Sequence, residues 1–160
     1  MRTVVRTVAI AAVVAACGAP GSRPAADSAT ADATAHQAHE AYVTAINSNN
    51  LDSLLAMLTE DVVFLYPHEP VLVGKTAVRP WVDAYLQAFQ THWEKVALEF
   101  VIAGEWAFER YSYKSNDTPR AGGAVVQDTG WGLVIYHHDP DGTWRVARDA
   151  WSTDRPLPTK

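Results

Sequence analysis

Hydrophobic positions recur with two different periods along this chain. From Ala33 to Asn49, the residues His39, Tyr42, Val43 and Ile46 return at steps of three and four, which puts them on one face of a helix. Asn47, Ser48, Asn49 and Asn50 break that pattern and can cap a second helix. Leu51 to Leu58 predicts that helix, a short one with Leu51, Leu54, Leu55 and Leu58 inward. Asp61 to Tyr66 is rich in β-formers and predicts a strand, ended by Pro67 and Pro70. Val71 to Val73 is a brief second strand. After Gly74 the helical period returns over about Lys75 to Gln90, with Val78, Trp81, Val82, Tyr85, Leu86 and Phe89 as the apolar stripe. Pro80 lies in its first turn or two, where a missing N–H costs little.

Beyond this point the pattern is that of strands. Lys95 to Ala103, Trp106 to Tyr113, Ala124 to His138 and Thr143 to Ser152 predict four strands. Gly104-Glu105 is a turn, Ser115 to Gly123 a polar loop, and Asp139-Pro140-Asp141-Gly142 a tight turn. Helices followed by antiparallel strands give the α+β class. Three N-terminal helices packed on one curved antiparallel sheet make a cone-shaped fold, open at one end and suited to a small-molecule pocket.

Neither pattern extends to the N-terminus. Arg2 and Arg6 precede an apolar run, Thr7 to Ala16, which ends in Val14-Ala15-Ala16-Cys17. Ten apolar residues are too few to cross a bilayer core of about 30 Å, but they fit the middle of an export signal. The cysteine after small residues resembles a lipobox. On that reading residues 1–16 are removed and Cys17 carries a lipid; an ordinary secretory signal with an incidental cysteine is the alternative. Cys17 is the sole cysteine, so no internal disulfide can form. Residues 17–32 are small and Pro-containing and read as a tether. Residues 33–154 form the expected domain and 155–160 a tail. The expected location is the cell envelope, on the outer side of the cytoplasmic membrane.

Charge narrows the partners. Without Arg2 and Arg6 the chain has 11 basic against 18 acidic side chains, a net charge of −7. An acidic chain without a basic cluster speaks against nucleic acid and against electrostatic binding to anionic lipid. Contact with a membrane would then run through the lipid alone. Six tryptophans and six tyrosines put aromatic groups in the core or in a pocket.

Ala41 to Asn47 with Asn50-Leu51-Asp52, Thr59 to Phe64, Val73-Gly74-Lys75 and Asp141 to Asp149 occur in an order and spacing that resembles a known superfamily. It is the cone-shaped group of nuclear transport factor 2, ketosteroid isomerase and the SnoaL-like polyketide cyclases. That fold hosts isomerases, dehydratases, cyclases and plain binders, so the resemblance does not name a reaction. The isomerase pattern is incomplete. Tyr42 falls at its first-helix oxyanion donor, but Tyr66 stands before Pro67 where the base belongs, and Val134 occupies the second donor position.

The last strand offers a substitute. Strict alternation puts Arg145, Ala147, Asp149 and Trp151 on one face, which the resemblance turns into the cone, and Trp144, Val146, Arg148 and Ala150 on the other. Asp149 is the candidate base, able to take a proton next to a carbonyl, with Tyr42 and Tyr66 as oxyanion donors. A structural pairing of Asp149 with an arginine is the alternative. Trp151, Trp81, Tyr136, His68 and Arg145 are candidate ligand contacts. Trp144, Leu133 and Ile135 on the outer face suggest a homodimer surface. The histidines show no metal-binding motif, and no phosphate-binding loop or cofactor motif is present. The expectation is therefore a lipid-anchored domain binding a small apolar molecule, or an acid–base enzyme built on Asp149.

Overall fold

A computed structural model describes residues 25–156; Cys17, the expected signal and residues 157–160 lie outside that range. Three helices precede most of a six-stranded sheet. They are α1 (Ala25–Asn47), α2 (Leu51–Ala56) and α3 (Lys75–Ala88). The strands are β1 (Leu58–Leu65), β2 (Leu72–Val73), β3 (Phe89–Ala103), β4 (Trp106–Pro119), β5 (Val126–His138) and β6 (Trp144–Thr153), in the spatial order β2-β1-β6-β5-β4-β3. All neighbours are antiparallel except β1 and β6, which run parallel.

Helix α1 begins at Ala25, so the segment expected as a tether is helical from that residue on. Its buried stripe is Ala35, Ala38, His39, Tyr42 and Ala45. The alanines let the helix lie close to the sheet, and the two larger polar side chains then project into the cone. The helix ends in an asparagine clasp. The Asn47 side chain donates to the Trp93 carbonyl at 2.9 Å and accepts from its N–H at 2.7 Å. Asn49, in the left-handed region at φ 52°, does the same for Thr91. Two side-chain amides thus stand in for a missing neighbour along edge strand β3, and they fix the stretch from Thr91 to Lys95 against the helix end.

The core lies between the helices and the concave face of the sheet. Val78, Val82 and Leu86 bury one stripe of α3. Trp81 and Tyr85, on the adjoining stripe, stack at 5.7 Å with their planes only 7° apart. On β4 the odd positions from Ala107 to Ser115 are buried, Glu109 and Tyr111 among them.

A bulge in β6 decides which of its side chains enter the cone. Ile135 pairs with Arg148 but Tyr136 pairs with Val146, leaving Ala147 as the extra residue. Alternation slips by one across it. Trp144 and Val146 therefore point inward on one side of the bulge, and Asp149 on the other. This corrects two expectations that rested on strict alternation. Trp144 is 3% exposed and belongs to the core rather than the outer face. Arg145 points away from the cone and forms ion pairs with Asp139 at 2.7 Å and Asp141 at 2.8 Å, which lock the β5–β6 turn.

Candidate functional site: a carboxyl at the base of an aromatic cavity

The cone holds a narrow cavity, with about 50 Å3 open to the centre of a water-sized sphere. Its walls are mostly apolar and aromatic, with Phe64, Trp81, Tyr85, Trp93 and Trp151 among them; Tyr42, Lys95 and Asp149 supply polar atoms. The rings support one another. Phe64 meets Trp81 edge-on at 6.0 Å and Trp151 edge-on at 5.7 Å. Such a wall gains its stability from contacts already made, so it is set before any ligand arrives.

Asp149 is 4% exposed and lines this cavity. Two phenols hold it: Tyr42 Oη donates to Oδ2 at 2.9 Å and Tyr111 Oη to Oδ1 at 3.0 Å. No arginine or histidine bonds it among the described residues. Burial pushes its carboxyl above the ordinary range, and this outweighs the lowering by Lys95 and by the two phenol hydrogen bonds. Burial, then the charge of Asp149, also drives the Tyr42 and Tyr111 phenols well above 10.0. They stay neutral donors at any physiological pH.

Glycine makes room for this arrangement. Gly132 on β5 pairs with Tyr111 on β4, and a Cβ there would fall on the Tyr111 ring and hydroxyl. The position that carries no side chain on β5 is therefore where the phenol crosses toward Asp149.

Of the residues anticipated from sequence, Asp149, Tyr42, Trp151 and Trp81 come together at the cavity. The others do not. Tyr66 stacks on Trp151 at 5.8 Å and packs on Trp81 at 5.0 Å, behind the wall rather than in it. Tyr136 is fully buried and donates to Glu109 at 2.7 Å. His68 lies in a separate surface hollow with Pro67, Trp151 and Arg155. Arg145 belongs to the turn. The residues not anticipated are Tyr111, Lys95 and Glu109. The sequence held one signal for them: the alternation of β4 places Glu109 and Tyr111 on the face of Ala107 and Tyr113, and a glutamate in such a stripe needs a buried partner.

Helices packed on a bent sheet, with ionisable groups lining the cavity between them, define the class: a domain of the α+β cone type. The chain belongs to the SnoaL-like domain family, whose sequence pattern matches residues 39–148. Solved structures agree. It is similar to a ketosteroid isomerase-like protein from Erwinia carotovora atroseptica (26% identity, TM-score 0.70, covering 78% of this chain and 96% of that one). It is similar to a conserved protein from Planctomyces limnophilus (25% identity, TM-score 0.70, covering 78% and 98%). A nuclear transport factor 2-like superfamily protein from Salmonella enterica shares the fold at 14% identity (TM-score 0.66, covering 82% and 96%). No functionally curated protein matches the chain.

Proposed function

We propose that this domain binds a compact, largely apolar carbonyl compound in the cone and exchanges a proton with it through Asp149. The observation that carries this is the state of Asp149: buried, at the cavity, held by neutral phenols and free of any arginine. The charge of Lys95 acts on this carboxyl through space and is the largest influence lowering its pKa, yet burial outweighs it. A carboxyl with a raised pKa in an aromatic pocket is suited to accepting and returning protons. Tyr42 serves here as a positioning residue for the carboxyl, together with Tyr111, and not as the oxyanion donor its helix position suggested.

The test is incorporation of solvent deuterium next to the carbonyl of small aryl ketones, followed by NMR. The wild-type domain is expected to accelerate exchange and Asp149→Asn to lose that acceleration. Equal rates for the two proteins would reduce the domain to a binder.

We further propose that Cys17 is lipidated and holds the domain at the outer side of the cytoplasmic membrane. Support comes from the Val14-Ala15-Ala16-Cys17 pattern after a short apolar run. Labelled palmitate should enter the wild-type chain and not Cys17→Ser; absence of label in the wild type would remove the anchor.

A further inference from the structure

Lys95 is buried, at 8% exposure, and lines the same cavity as Asp149. Its ammonium lies 3.6 Å from the ring centre of Tyr111 and 4.6 Å from that of Tyr42. Among the described residues no carboxylate forms an ion pair or hydrogen bond with it. Asp149 and Glu109 act on it only through space. Each has other partners: Asp149 the phenols, Glu109 the His39 ring at 2.7 Å and the Tyr136 hydroxyl. Two phenol faces give such a cation partial compensation and no acceptor oxygen. An ammonium on a residue that lines the cavity, with no acceptor oxygen bonded to it among the described residues, is therefore equipped to receive an oxyanion.

We infer that Lys95 is the group that receives the substrate's oxygen, so the pocket selects a ring compound whose oxygen becomes anionic beside it. This rests on the proton exchange assigned to Asp149 above. The charges then balance through the step. Before it, the negative charge sits on the Asp149 carboxylate. The C–H bond next to the carbonyl breaks and its proton forms an O–H on Asp149. The electron pair of that bond becomes the carbon–carbon double bond, and the C=O pair moves onto oxygen. One negative charge has passed from Asp149 to the substrate oxygen, and Lys95 faces both places. The tyrosines cannot take this role, because their hydroxyl protons are committed to Asp149. Burial lowers the lysine's own pKa, consistent with a cation that lacks a close counter-charge.

The site can be tested with a fixed anion. Asp149→Asn mimics the neutral acid that exists after proton transfer and leaves Lys95 with the charge of Glu109 alone acting on it through space. Phenylacetate and its neutral partner phenylacetamide are titrated against the domain, read by the fluorescence of Trp81, Trp93 and Trp151. Asp149→Asn is expected to bind phenylacetate at least about tenfold more tightly than phenylacetamide. Adding Lys95→Met, or Lys95→Gln as a second replacement, should abolish that preference, with circular dichroism and urea unfolding showing that the variants are folded. No preference in Asp149→Asn, or a preference that survives loss of Lys95, overturns the assignment. If neither compound binds any of the proteins, the apolar-pocket reading itself fails, and the oxyanion site with it.

Discussion

Asp149 and Glu109 are both buried carboxyls inside one cone, yet their surroundings drive them in opposite directions. Glu109 is fully enclosed, and burial alone would raise its pKa. The hydrogen bonds from His39 and Tyr136, with the charges of Lys95 and His39, outweigh that and hold it below the ordinary range. Asp149 has hydrogen bonds of comparable length, but from neutral phenols, and burial wins. The number of hydrogen bonds is the same and Lys95 acts on both through space; what differs is that one of Glu109's hydrogen-bond partners is the His39 ring, whereas both of Asp149's are phenols. One carboxyl is locked as an anion and braces helix α1 against β4 and β5. The other is left able to change its protonation. Environments that separate two acids in this way mark which one can do chemistry.

The comparison can be broken by removing each acid in turn. Asp149→Asn should reduce deuterium exchange by about 10²–10⁴-fold, the range of a lost general base, with the fold intact by circular dichroism. Glu109→Gln should leave the cavity wall in place but destabilise the domain by about 1.5–3 kcal/mol at neutral pH in urea unfolding, the usual value of a charge-assisted hydrogen bond. A result in which Glu109 governs exchange and Asp149 governs stability would reverse the roles.

Stability against pH sharpens the contrast, because the signs are opposite. Glu109 has a lowered folded pKa, so its contribution is present above the ordinary glutamate range and is lost as pH falls through the lowered value. The gap between wild type and Glu109→Gln should close in acid. Asp149 has a raised folded pKa. The unfolded chain gives up that proton first, so the wild type loses stability as pH rises from the ordinary aspartate range through the raised value. Asp149→Asn lacks this loss and should gain on the wild type over the same window. Parallel curves would contradict the opposed shifts.

A milder change tests the geometry around Asp149. Gly132→Ala places a methyl where the Tyr111 phenol passes, and overpacking of this kind costs about 1–3 kcal/mol. Displacing Tyr111 also removes a hydrogen bond that lowers the Asp149 pKa, so the pH midpoint of exchange should move upward. The smallest effect belongs to the outer face, where Trp131 is 54% and Leu133 41% exposed. If that face joins two copies of the chain, Trp131→Glu should convert dimer to monomer in light scattering without changing exchange; a wild-type monomer would dismiss the interface.

The sequence's reach depends on the range of its signals. The stripe of α1, the β-former run of β1 and the Asp139 to Gly142 turn are local, and they sufficed for the α+β class and the cone. Asp149 and Tyr42 were legible as candidates to line the cavity, which both do, because each sits at a recognisable place in its own element. Their direct bond was not, since 107 residues separate them. Arg145 was misplaced because strict alternation cannot foresee a bulge at Ala147, which only the pairing of β5 with β6 creates. Lys95 was invisible for a related reason. Composition puts a lysine outside and Val96 inside, whereas on β3 Lys95 is buried and Val96 is 57% exposed. The asparagine clasp from α1 fixes the start of β3, and the cone then supplies the tyrosine faces that make the buried ammonium tolerable. Which elements form, and which polar residues they carry, is written in local stretches of the chain. Which of those residues share one cavity is settled by packing, because burial and counter-charge are properties of neighbours brought together from distant parts of the chain.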